Sequence, residues 1–209
     1  MTGETYDVLF DYNEYWDNNN LAPELVISNY NYPLITSEPC FGLFSFPLFS
    51  KTFCNDMVER LRFFDNWTVN RHRSYPTNDV LLSDFNSSFS VIYESMLKNI
   101  MLPAINKLYD VNFDDNFIHE TFIIRYNPNF QGHLDLHHDS STFTVCVTFS
   151  HEDDYEGGGT WFPKHKTLVK SKQGEVVIHP GQLTHQHGVR PIISGERYSM
   201  VSFCKKNLI

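Results

Sequence analysis

The sequence has no apolar run long enough to cross a bilayer and no cysteines spaced C-x-x-C. It therefore predicts no transmembrane segment, no zinc ribbon and no thioredoxin-type redox site. Its four cysteines, Cys40, Cys54, Cys146 and Cys204, are too few and too scattered for a disulfide scaffold. Cys146 and Cys204 fall in apolar runs and read as buried thiols, while Cys40 and Cys54 are left open as a bridge. The opening stretch "MTGETYDVLFDYNEYWDNNN" has no basic region followed by an apolar one, so no signal peptide is read there. Basic residues are also scarce, with 16 Lys and Arg against 25 Asp and Glu and a net charge of -9. That balance argues against a nucleic-acid partner, whose phosphates need neutralising cations. Internal repeats and low-complexity linkers are absent as well, and 209 residues fit one domain.

What is present is a folding chain, 41% hydrophobic and 15% aromatic. Residues 1–39, rich in Asn, Tyr and Pro, read as an irregular arm with short strands at "ELVIS" and "YPLIT". Phe53, Met57, Val58, Leu61 and Phe64 then recur at helical spacing, with Ser50 or Thr52 as N-cap. After a polar, turn-rich stretch over 69–87, a second helix carries an apolar stripe of Val91, Met96, Leu97, Ile100, Met101, Ile105 and Leu108. Pro103 should kink or divide that helix. Asn66-Trp-Thr and Asn86-Ser-Ser fit the glycosylation pattern, which matters only in a secretory compartment. Beyond residue 117 come short β-branched and aromatic runs parted by turn residues, the pattern of a sandwich or small barrel. The fold class is α+β, helices first and strands after.

Nine of the ten histidines lie between His119 and His187, so the chemistry is expected in the strand-rich half. "HLDLHHDSSTF" contains two His-x-Asp pairs, His133/Asp135 and His137/Asp139. Both pairs have the odd parity of Phe143, Val145, Val147 and Phe149, the more apolar face of the strand that follows. This predicts that His137 and Asp139 point inward on that strand. His133 and Asp135 follow the loop "NPNFQG" and lie where the strand has not begun. Downstream, His179, His185 and His187 compete as a third ligand. Two histidines and a carboxylate suit Fe(II), Mn(II) or Zn(II), and with open positions they make the facial triad of non-haem iron oxygenases. Such a site needs an electron-supplying co-substrate. Arg197, with Ser199 on the same strand face, is the better candidate for binding a dicarboxylate such as 2-oxoglutarate, and Arg190 the poorer.

Residues 120–203 resemble the C-terminal catalytic domain of procollagen lysyl hydroxylases, which are Fe(II)- and 2-oxoglutarate-dependent dioxygenases. The likeness rests on "IIRYNP", "HHDSSTFTV", "DYEGGGTWF", "HPGQLTHQHGV" and "SGERYSMVSF", in that order. Through "CFGLFSFPLFSKTFC" it extends more weakly to residues 38–209, and the distance from animal forms fits a viral member. The resemblance implies a double-stranded β-helix (jelly-roll) core with flanking N-terminal helices. Residues 40–209 would form the oxygenase domain, with helices about 50–109 and the jelly-roll about 117–209. Residues 1–39 would be packed on it.

By position, the resemblance makes His137, Asp139 and His187 the iron ligands and Arg197 the partner of the distal 2-oxoglutarate carboxylate. Tyr126 and Ser199 would help to hold the same co-substrate, and the Gly157-Gly158-Gly159 turn would be a tight β-connection rather than a phosphate cradle. It further implies O2 and ascorbate (vitamin C) as requirements, a collagen-like Gly-X-Lys peptide as substrate, and lysine converted to 5-hydroxylysine. A homodimer is expected, with "HPGQL" as a possible contact, and a location in the endoplasmic reticulum lumen or a host secretory pathway. The acidic turn of Glu152, Asp153, Asp154 and Glu156 is expected to attract the cationic lysine. The chain departs from the family at Thr160, where cysteine is common, and at Cys146, where asparagine is. Two alternatives stand beside this reading: a prolyl 4-hydroxylase activity, and a catalytically silent metal-binding jelly-roll that mediates assembly.

Overall fold

A computed structural model describes residues 8–10, 16–69, 71–72, 74–114 and 117–206. Short helices α1 (Trp16–Asn20), α2 (Pro23–Ile27) and α3 (Tyr32–Ile35) come first, followed by strands β1 (Ser37–Cys40) and β2 (Leu43–Pro47). The stretches expected as strands at "ELVIS" and "YPLIT" are α2 and α3. Each has proline in its first turn, where a fixed φ and a missing N–H suit a helix start. Burial of Leu25 and Tyr32 holds them, and the Tyr32 hydroxyl donates to the Ile100 carbonyl at 2.9 Å.

Helix α4 (Lys51–Arg62) starts at Ser50, whose Oγ accepts the Phe53 N–H at 3.2 Å. It buries Phe53, Met57, Val58 and Leu61, the spacing read from the sequence. Strand β3 (Asp79–Leu81) and helix α5 (Leu82–Phe85) lie within the stretch read as turns. Helix α6 (Ser87–Met96) is capped by Asn86, whose Oδ1 accepts the Phe89 N–H at 2.8 Å. The asparagine of the second glycosylation pattern is thus engaged as a helix cap. The buried stripe of α6 is Phe89, Ile92, Tyr93 and Met96. Val91, assigned to that stripe from sequence, is 70% exposed because its neighbour Ile92 holds the inward position. Before Pro103 the chain widens into a π-helical turn, Leu97–Met101, with the Leu102 N–H on the Leu97 carbonyl, and resumes as α7 (Leu102–Tyr109). The division expected at Pro103 takes this form, since the wider turn accommodates the missing N–H and the ring.

The remaining strands are β4 (Phe117–Tyr126), β5 (Leu134–His137), β6 (Phe143–Thr148), β7 (Tyr155–Gly157), β8 (Thr160–Phe162), β9 (Thr167–Val169), β10 (Glu175–Pro180), β11 (His187–Val189), β12 (Ile192–Gly195) and β13 (Arg197–Lys206). They form a seven-stranded sheet, β1-β2-β10-β6-β13-β4-β3, and a four-stranded sheet, β5-β11-β8-β9, with β12-β7 paired beside them. All the pairings are antiparallel. This is a mixed helix-and-sheet fold of the jelly-roll kind.

Strand alternation divides the large sheet's two faces. Val145, Val147, Val176, Ile178, Tyr198 and Met200 pack in one core with α4 and α6. Thr144, Cys146, Val177, His179, Ser199 and Val201 point the other way, into a cavity closed by the four-stranded sheet. The odd residues of β6 therefore face the helices and the even ones face the cavity, opposite to the parity expected for an inward-pointing metal site. His137 avoids that conflict because it belongs to β5, in the other sheet, and Asp139 lies just past its end. All four cysteines are free thiols. Among the described residues, no helix is long and apolar enough to cross a membrane.

Candidate active site

β5 and β11 are short, and their register places His137 directly opposite His187. The two imidazoles lie 4.5 Å apart between ring centroids. Each points its Nδ1 at a carbonyl two residues back: His137 at Asp135 (2.7 Å) and His187 at His185 (2.9 Å). A carbonyl can only accept, so both rings carry the proton on Nδ1 and leave Nε2 free as a ligand. After β5 the chain turns, with the Asp139 N–H on the Gly181 carbonyl at 3.1 Å. This brings its carboxylate 3.3 Å from His137 Nε2 and 3.7 Å from His187 Nε2. Thr144 donates to Asp139 Oδ2 at 2.6 Å. Ligand atoms of His137, Asp139 and His187 all lie within 4.8 Å of one another, and all three residues are buried.

Electrostatics fit a cation there. Burial would raise the Asp139 carboxyl, but the His137 contact, the adjacent His187 and His179 and the Thr144 hydroxyl hold it well below the usual carboxylate range. Burial pushes His187 down, leaving a neutral ring suited to a metal. For His137 burial also acts downward, and the Asp139 and Asp135 contacts outweigh it to give a net rise.

Of the three downstream histidines, only His187 joins this group. Burial drives His179 down to about 3, and its Nε2 sits 3.9 Å from Asp139, beside the group rather than in it. His185 uses its two nitrogens on the Phe41 carbonyl (3.1 Å) and the Thr184 hydroxyl (2.9 Å), tying the β1–β2 turn to the loop before β11. His133 and Asp135 contact one another at 3.7 Å on the surface, with side chains 60% and 83% exposed. His138 is exposed at the cavity rim.

Arg197 opens β13 inside the same cavity, which has a volume of about 500 Å³. It is buried, sits opposite Tyr126 in the β4–β13 register, and reaches Thr148 Oγ1 at 3.4 Å. Among the described residues, no carboxylate pairs with it. The buried Ser199 Oγ, one step along the same face, has no hydrogen-bond partner. A buried guanidinium without a carboxylate and an orphaned hydroxyl are costly on their own, and a carboxylate ligand would satisfy both. Tyr126 adds a phenol whose pKa burial raises, so it remains a neutral donor. Cys146 lines this part of the cavity, and burial keeps its thiol protonated. Arg190, the poorer candidate, is exposed and lies over the Trp161 ring.

Sequence reasoning missed several neighbours. Thr144 could have been found from its even parity, once that face was known to be the cavity side. Tyr75 packs 5.0 Å from the His137 ring, and Asp79 gathers Arg71, His72, Thr68 and Thr77 beside the cavity. Both belong to a stretch read only as turns, where periodicity carries no signal. The acidic turn, in contrast, does not line the cavity. Asp154 pairs with Arg62 and caps the His151 N–H, and Glu156 meets Ser194. Gly157, Gly158 and Gly159 all have positive φ, and a Cβ on Gly157 would strike the Pro191 carbonyl, so this is a tight strand connection.

Residues 117–206 match the 2OG-Fe(II) oxygenase superfamily. That class implies Fe(II), 2-oxoglutarate and O2. Within it, the chain is similar to procollagen-lysine,2-oxoglutarate 5-dioxygenase 2 of Mus musculus, 29% identical over 180 residues. It is 32% identical over 180 residues to the multifunctional procollagen lysine hydroxylase and glycosyltransferase LH3 of Rattus norvegicus. Each alignment takes in 81% of this chain and 24% of the relative, so the chain spans about a quarter of the length of these curated relatives. A solved prolyl-4-hydroxylase from Pseudomonas putida shares the fold, with a TM-score of 0.61 and 14% identity over 79% of this chain and 93% of that one.

Proposed function

We propose that this chain hydroxylates peptidyl lysine to 5-hydroxylysine in collagen-like Gly-X-Lys sequences, coupled to conversion of 2-oxoglutarate to succinate and CO2. The reaction class is carried by one observation: His137, Asp139 and His187 share a cavity with Arg197, paired with no carboxylate among the described residues, and an orphaned Ser199 hydroxyl. The lysine substrate is taken from what the relatives are named for.

The oxidising chemistry would come from Fe(II) with 2-oxoglutarate and O2, and the protein's part is to hold and shield the reactants. His137 Nε2, His187 Nε2 and the Asp139 carboxylate would hold the metal on one side, leaving the cavity side open. The Nδ1–H bonds of both histidines fix the ring orientations, and Thr144 fixes the carboxylate. Arg197 would take the distal carboxylate of 2-oxoglutarate, with Ser199 and Tyr126 as further donors. Phe122, Ile124, Val177 and Val201 keep the surrounding wall dry, so that a single C–H bond is presented rather than water. A requirement for ascorbate, a homodimer involving "HPGQL" with its exposed Leu183, and an endoplasmic reticulum or secretory location belong to the same proposal.

The test is incubation with a Gly-X-Lys collagen-like peptide, varying Fe(II) and 2-oxoglutarate, read by peptide mass spectrometry. The proposal predicts one oxygen on lysine, with succinate released only when Fe(II) is present. Oxygen on proline would replace the lysine reading with the prolyl one. Metal binding without any succinate would favour the silent assembly module.

A further inference from the structure

Among the described residues, Asp139 is the one carboxylate lining the cavity, and the proposed metal claims it. A cationic lysine therefore needs another negative group near the site, and the acidic turn does not supply it. On β4, Tyr126, Ile124 and Phe122 all line the cavity, and alternation puts Glu120 on the same face, one step nearer the rim. Register fixes how near it comes to the metal group. Glu120 is opposite Phe203 on β13, and Phe203 is opposite Thr144 on β6, the residue that holds Asp139. Glu120 is thus two strand spacings from Thr144, about 10 Å between backbones. Both side chains project to the cavity side.

A cation already sits on this carboxylate. Arg71 Nη2 contacts Glu120 Oε1 at 2.6 Å, while Arg71 Nε lies 3.2 Å from Asp79 and its guanidinium covers the Phe122 ring at 5.5 Å. Arg71 lines the cavity, and Asp79 would keep it anchored if Glu120 released it. Phe122, Val201 and Phe203 between Glu120 and the deep end form an apolar wall suited to a lysine stem.

We propose that Glu120 receives the ammonium group of the substrate lysine, and that Arg71 occupies this carboxylate until the substrate exchanges for it. The inference rests on the lysine reading above and assigns Glu120 as a specificity-determining residue. It is tested by calorimetric titration of the protein loaded with Mn(II) and 2-oxoglutarate. Two peptides are compared, a Gly-X-Lys collagen-like peptide and the same peptide with norleucine, which keeps the stem and lacks the ammonium. The native chain should prefer lysine by about fivefold, the upper range for a half-exposed ion pair. Glu120→Gln should erase that preference, Glu120→Asp should keep part of it, and Arg71→Gln should widen it. A lysine preference that survives Glu120→Gln, in protein that still hydroxylates lysine, overturns this inference and leaves the proposed function standing. If lysine peptides are neither bound nor hydroxylated, both fall together.

Discussion

His133/Asp135 and His137/Asp139 are the same three-residue pattern placed four residues apart, yet they have opposite surroundings. The first pair lies on the surface with both side chains largely exposed. The second is buried, faces His187 across a strand pair and is held by the Thr144 hydroxyl and by the Asp135 and Gly181 carbonyls. The His and Asp of each pair are the same, and the difference is made by other parts of the fold: β11 supplies His187, β6 the Thr144 hydroxyl, and the Gly181 carbonyl the turn. A third His–carboxylate contact, His72 to Asp79 at 3.1 Å, refines the lesson. Asp79 is fully buried, but Arg71, Thr68 and Thr77 fill its surroundings, so it is a closed polar hub rather than an open ligand set. Asp139 differs from Asp79 in being buried among imidazole nitrogens and left incompletely paired, which suits it to the metal role proposed.

The largest expected effect is at His187, the third ligand of the proposed metal site. His187→Ala should lower Fe(II)-dependent succinate release by at least about 100-fold, beyond what loss of an outer-shell contact costs. Arg197→Met should raise the 2-oxoglutarate KM by roughly 100-fold, because a desolvated carboxylate would lose its charged partner. Asp79→Asn should destabilise the fold by about 2 kcal/mol, measured by urea denaturation, since hydrogen bonds to a buried charge are lost. That substitution also has a pH signature. Burial acts to raise the Asp79 pKa from 3.8, but the close His72 contact, the bonds from Thr77 and Thr68 and the Arg71 charge leave it lowered in the fold. Its contribution is therefore present above about pH 4 and lost as pH falls through the lower folded value. The native Tm should drop in that acidic window more steeply than the Tm of Asp79→Asn. Thr144→Val should weaken Fe(II) affinity about tenfold while keeping the fold, as removal of a bond to a ligand does.

Much of this was legible beforehand where periodicity and residue chemistry agree. The stripe of α4, the Ser50 cap and the division at Pro103 follow from local sequence, because helix ends and apolar spacing are written within a few residues. His137, Asp139, His187, Arg197 and Ser199 were singled out, and the structure places them in one cavity. Parity along β6 does not account for His137, however, because that residue belongs to β5 and the apolar face of β6 packs against helices. Parity within one strand says that two faces differ; it does not say which neighbour each face meets. Tyr75, Asp79 and Glu120 were not found for a related reason. Tyr75 comes to the cavity, and Asp79 and Glu120 come beside it, through loop geometry and cross-strand register, which no local pattern encodes. The acidic turn failed the other way, with a strong charge signal in sequence and a position away from the cavity in space.

Burial, not motif, separates the two His-x-Asp pairs. The most direct measurement is Mn(II) affinity by titration calorimetry for His133→Ala and His137→Ala, side by side. The account predicts native affinity within about twofold for His133→Ala, as for a surface substitution, and loss of measurable binding for His137→Ala. Binding that survives His137→Ala, or is lost in His133→Ala, would contradict it.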